Sequence, residues 1–145
     1  MDGSWLTALL GATKDGVLDA LGEPSLWDRQ EHHLKPDDRS LGFPKQGLGA
    51  VSVHLSDDEV VEIYVVFVEG PRSWQAALAA VGLAPEGVKA KKHDFMDEDR
   101  PSDKLKGVAH MPDGWKVVYC RGEYDDEGDL EEEPTLHFIS PRLPY

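Results

Sequence analysis

Residues 47–70, GLGAVSVHLSDDEVVEIYVVFVEG, read as two strands joined by a tight turn, and the second strand is the most apolar segment of the chain. Val61, Ile63, Val65 and Phe67 share one face by the period of two that a strand imposes. Val60, Tyr64, Val66 and Val68 occupy the other face, interrupted only by Glu62. A strand apolar on both faces is expected at the centre of a sheet, covered on both sides. Asp57-Asp58 makes the turn, because short polar side chains bond their own backbone and tolerate turn conformations.

Upstream of this hairpin the spacing predicts a short helix over Ser4–Leu10, ended by Gly11. A second helix follows, capped by the Thr13 hydroxyl, with Val17, Leu18 and Leu21 as its buried stripe and Gly22 and Pro24 as its stop. A strand is expected over 26–34, a turn at Pro36-Asp37-Asp38 and a short strand over 41–43. Downstream, Trp74, Ala77, Leu78 and Val81 fall on one helical face, with Ser73 as cap and Gly82 as terminator. Then come a strand over 88–95, an acidic loop, and a hairpin over 105–124 turning at Pro112-Asp113-Gly114. A second acidic loop leads to a last strand over 135–139.

This order predicts an α+β fold, an antiparallel sheet packed by short helices. It also suggests a tandem of helix-plus-four-strand units in one domain over 1–145, with halves 1–70 and 71–145. VLDALG (17–22) and ALAAVG (77–82) share an apolar pattern, a helix-ending glycine and a proline within three residues.

At 145 residues and 40 % apolar content, the chain can build a single core. No run approaches the ~18 apolar residues of a membrane span. The N-terminal stretch has an acid at position 2, no basic n-region, and an apolar run that stops at Gly11. With Cys120 the only cysteine, a reducing cytoplasm is expected. The net charge of −13 is concentrated in two places. Residues 94–103 (DFMDEDRPSD) carry −4 and residues 123–133 (EYDDEGDLEEE) carry −8, so the remainder is nearly neutral. This argues against binding to nucleic-acid phosphate or anionic membranes, which requires basic patches.

The segment GATKDGVLDALGEP, residues 11–24, resembles the helix signature of the SmpA/OmlA and beta-lactamase-inhibitor-protein-like group. The matching positions are Gly11, Thr13, Val17, Leu21, Gly22 and Pro24, about a tenth of the chain counting the whole motif. The resemblance implies tandem repeats of a helix pair on a four-stranded antiparallel sheet, a scaffold used to bind proteins. It implies no functional residue, since these positions encode caps and packing. The chain departs from the group in lacking a lipid-anchor cysteine, a secretion signal and disulfides.

Among candidate chemical groups, His32 and His33 are adjacent on an expected strand and point to opposite faces. His54, His93, His110 and His137 are isolated, with no ligand-pair spacing. Cys120 sits in the apolar strand KVVYC, where a free cysteine behaves as a small hydrophobe. DDEGDLEEE fails the spacing of a calcium loop. No G-x-S-x-G, P-loop or dinucleotide motif occurs.

The acids themselves have two readings. One is a solvated loop that keeps the protein soluble. The other is a docking surface for a basic partner, with both acidic segments at one end of one sheet and aromatics beside them. The second predicts a stoichiometric binding module, in concrete form a bacterial immunity or inhibitor protein that occludes a basic toxin or enzyme and needs no cofactor. Asp97, Glu98, Asp99, Asp125, Asp126, Glu127, Asp129, Glu131 and Glu132 would form its rim, and Trp115 and Tyr124 its anchors. Trp115 also reads as core. The alternatives are a small enzyme or metal-dependent regulator drawing on the scattered His, Asp and Glu, and a domain with no specific binding role.

Overall fold

The computed structural model describes residues 3–30, 38–45, 47–68, 71, 74–84, 89–92, 107–110, 114–120, 123–124, 127 and 130–142. The 47–70 hairpin becomes β3 (Gly49–Ser56) and β4 (Glu59–Phe67), paired antiparallel. Its turn places Asp57 and Asp58 at φ 53° and 57°, the left-handed region that Asp tolerates better than most residues. One irregularity was not foreseen. A bulge between His54 and Leu55 pairs Leu55 with Val60, so Val60 joins the core cluster in place of Val61. An extra residue in one strand shifts which side chains face inward.

Upstream lie α1 (Ser4–Thr7), α2 (Lys14–Leu21), β1 (Trp27–Gln30) and β2 (Arg39–Pro44). Helix α1 is shorter than expected. Helix α2 starts as its cap predicts: Thr13 is extended and its Oγ1 accepts the Gly16 N–H at 3.3 Å. The Lys14 N–H donates to Asp58 Oδ1 at 3.0 Å, so the hairpin turn caps the helix a second time. Gly22 closes α2 at φ 82°.

The second half holds α3 (Trp74–Ala80), β5 (Lys89–Lys92), β6 (Gly107–His110), β7 (Lys116–Cys120), β8 (Glu123–Tyr124), β9 (Leu130–Glu132) and β10 (Thr135–Ile139). Eight strands form one sheet in the order β1-β2-β3-β4-β10-β7-β6-β5, antiparallel at every step. The fold is α+β. The strand order has an internal logic: β1 to β4 run inward from one edge, β5, β6, β7 and β10 run inward from the other, and β4 meets β10 in the middle. Within the second acidic segment, β8 and β9 pair as a separate two-stranded sheet; β8 closes the span expected as a hairpin, and β9 lies where a loop was expected.

The helices lie on one face. Leu6, Leu9, Val17, Ala77, Leu78 and Val81 pack with Leu41, Phe43, Val51, Val53, Ile63, Val65, Phe67, Val117, Leu136 and Phe138 in one core cluster. Tyr119 is buried among them, and its hydroxyl donates to the Pro71 carbonyl at 2.5 Å, tying β7 to the entrance of α3. The expectation that β4 is covered on both sides is not met. On its second face Tyr64 is 40 % exposed and Val68 59 %, and no described helix packs there. Antiparallel sheets can leave one face to solvent, and Glu62 and the Tyr64 hydroxyl suit that environment.

Candidate functional site

The register places the connections of the second half. Lys92 at the end of β5 pairs with Gly107 at the start of β6, and Gly107 pairs with Tyr119 near the end of β7. Cys120 pairs with Thr135, the first residue of β10, and Thr135 pairs with Val66 near the end of β4. The described residues flanking both acidic segments therefore gather at one end of the sheet. The backbone forces this, because β5 and β7 run parallel to each other through β6, so the chain leaves both at the same end.

Of the residues expected in the docking rim, Asp97, Glu98, Asp99, Asp125, Asp126 and Asp129 lie outside the described residues. Glu127 is an exposed turn residue. Tyr124 ends β8, and Glu131 and Glu132 lie on β9, so the acid-rich segment carries its own hairpin. Trp115 requires correction as an anchor. It is 6 % exposed and belongs to the core cluster, so its ring is not available to a partner. Its position just before β7 gives it the inward parity of Val117 and Tyr119.

The face on which no described helix packs holds groups that were not singled out. His137 on β10 pairs across the ladder with Tyr64 on β4, and their rings stack with centroids 4.0 Å apart. His137 Nε2 lies 3.3 Å from Glu62 Oε2. One strand over, Ser40 Oγ and His54 Nδ1 are 3.1 Å apart, and His54 Nε2 is 3.8 Å from Asp38 Oδ2. Trp27 covers Gly42 on this face, and the Arg29 guanidinium sits 5.6 Å from its ring centroid. The alternation of β4 offered one signal, Glu62 and Tyr64 two residues apart on the same face. The pairing with His137 needed the topology.

Ser40, His54 and Asp38 are the residue types of a nucleophilic triad, but their geometry departs from one. The 3.8 Å His–Asp separation exceeds a hydrogen bond, and Ser40 is 6 % exposed. Ser40 and His54 face each other within the β2–β3 ladder. No group of three or more His, Cys, Asp or Glu is placed to hold a metal among the described residues. No described helix is long and apolar enough to cross a membrane.

At the opposite end of the sheet a cleft of about 440 Å³ is lined by Lys14, Arg39, Leu55, Asp57 and Asp58. Its two cations are engaged by one carboxylate. Arg39 Nε donates to Asp28 Oδ1 at 2.7 Å, and Lys14 Nζ lies 3.6 Å from Asp28 Oδ2. The Arg39 hydrogen bond, aided by the Lys14 charge and opposed by partial burial, holds the Asp28 carboxyl below its ordinary range.

No protein-family model matches the chain, and no curated protein does. Solved structures do. An extracellular protein containing an SCP domain, from Bacillus anthracis str. Ames, is similar at 12 % identity and a TM-score of 0.52, over 93 % of this chain and 45 % of that one. A cysteine-rich secretory protein from Staphylococcus aureus subsp. aureus Mu50 is similar at 13 % identity and a TM-score of 0.52, over 91 % of this chain and 44 % of that one. This chain spans less than half the length of either, and at such identity the likeness is one of fold. Both of those proteins are described as extracellular or secretory, which speaks against the cytoplasmic placement expected from the sequence. The physical reason is plain: a single cysteine cannot form an intramolecular disulfide in any compartment, so its solitude does not report the redox state around it.

Proposed function

We propose that this chain is a stoichiometric binding module for a basic protein, in the manner of an immunity or inhibitor protein that occludes a toxin or an enzyme. One observation carries the reading: the residues flanking both acidic segments, which together hold −12 of the −13 net charge, gather at one end of the sheet. Charge of one sign collected at one end creates a field that steers a cationic protein and raises its encounter rate. The resemblance of residues 11–24 to a scaffold used for protein binding supports the same reading. Occlusion needs no chemistry from the module. Its acids substitute for the charge of the partner's own substrate, and its rigid sheet supplies the backing.

The test is a pull-down with the folded 145-residue protein from lysate and medium of the source cells, at about 20 mM and about 500 mM salt, spanning weak and strong screening. A variant carrying Asp125→Asn, Asp126→Asn and Glu127→Gln is run beside it. The expected result is one basic protein retained at low salt, released at high salt, and associating about tenfold more slowly with the variant. Retention that ignores both salt and the substitutions would refute the reading.

A further inference from the structure

We infer that the face of the sheet on which no described helix packs holds a recognition subsite for an arginine side chain of the basic partner, centred on Tyr64 stacked against His137 with Glu62 beside them. The inference rests on the binding function proposed above and names the chemistry by which that partner is held. Tyr64 is one of three large hydrophobic residues exposed among those described, at 40 %. It is an unusual side chain to leave outward on a central strand, and the stack with His137 at 4.0 Å and 21° fixes the ring in place. Glu62 lies two residues away on the same face, about 7 Å along the strand. Its carboxylate is anchored 3.3 Å from His137 Nε2, with side-chain exposures of 24 % for Glu62 and 18 % for His137.

A pre-positioned aromatic face next to a carboxylate suits a guanidinium. The planar cation stacks on the ring, and its N–H groups reach the carboxylate in the same plane. Val66 and Val68 continue the same face toward the end of the sheet, and Val68 is 59 % exposed. They offer apolar contact to the methylene stem of an arginine. The molecule already uses this chemistry internally, with Arg29 over Trp27 at 5.6 Å and Lys45 over Trp5 at 4.7 Å. Position connects the subsite to the acidic end. Thr135, where the chain re-enters the sheet after the second acidic segment, is two residues from His137 on β10. A cationic protein drawn to that end therefore meets this face next.

The experiment uses nona-arginine and nona-lysine peptides as probes of the folded chain, followed by NMR shifts of the Tyr64 ring and the His137 imidazole at about 20 mM salt, where screening is weak. Nona-arginine is expected to move both signals saturably and to bind more tightly than nona-lysine. Tyr64→Ala and Glu62→Gln should each weaken it about five- to tenfold, and Tyr64→Phe should change it less than about twofold. Tyr64 is exposed, so neither Tyr64 variant is expected to disturb folding. If nona-arginine binds and is lost with the Asp125, Asp126 and Glu127 triple variant, yet Tyr64→Ala binds it normally, the subsite is wrong and the basic-partner reading stands. If neither peptide binds the intact protein, both are wrong.

Discussion

At the scale of single residues, Gly42 shows how one missing side chain permits a local structure. A Cβ built on Gly42 would lie 2.4 Å from the Trp27 ring atoms Cδ2 and Cε2, nearer than any real contact. The indole is rigid and lies flat over the strand, so it cannot yield by rotating a flexible end. Gly42→Ala should therefore expel Trp27 from the sheet and cost about 1–3 kcal/mol of stability, the range for overpacking. Urea unfolding followed by tryptophan fluorescence checks this. Trp27→Ala should remove the clash, so the double variant should lose less than the sum of the two single losses. Strict additivity would show that Gly42 matters for some other reason.

At the scale of elements, Asp28 joins three of them: it lies on β1, its Arg39 partner on β2 and its Lys14 partner on α2. Its carboxyl titrates below the ordinary range when folded, with the Arg39 hydrogen bond the largest cause. A depressed carboxyl contributes stability that is fully present above its unfolded pKa, about 3.9, and is lost as pH falls through the folded value. Asp28→Asn should thus be less stable than the parent at neutral pH, with the gap narrowing as pH drops below about 4. A gap that stayed constant into acid would remove the ionised carboxylate from the account. The elements differ in how far the sequence disclosed them. The β3–β4 hairpin was legible because period-two alternation and an Asp-Asp turn agree, and α2 because Thr13 and Gly22 bracket it. Strand β9 was hidden, since Glu and Asp are poor strand formers and the segment reads as a charged loop. The bulge at His54/Leu55 leaves no mark in composition. The acidic end was legible as a charge run. The Tyr64–His137–Glu62 group was not, because His137 and Glu62 stand 75 residues apart and meet only through the pairing of β4 with β10.

At the scale of the whole molecule, a net charge of −13 on 145 residues makes the folded state repel itself. Among the described residues, the arginine–carboxylate pairs that oppose this are open to solvent: Arg39 is 44 % and Asp28 33 % accessible, and Arg142 and Glu59 are 44 % and 41 %. Pairs of that kind contribute about 0–1 kcal/mol each and are themselves screened by salt. Repulsion should therefore win. Raising salt from about 10 mM to about 200 mM shortens the screening length from about 30 Å to below 10 Å, which quiets long-range repulsion more than contact pairs. The expected outcome is a urea midpoint that rises over this range, urea being uncharged so that ionic strength stays under control. The Asp125, Asp126 and Glu127 triple variant should start higher and rise less. A midpoint that falls with salt would mean the ion pairs outweigh the repulsion. The same charges act with opposite sign in the proposed function, where salt weakens capture of a basic protein. Stability rising while binding falls, across one salt series and with both slopes reduced by one set of substitutions, would mark the acidic end as charge retained for a partner at the expense of the fold.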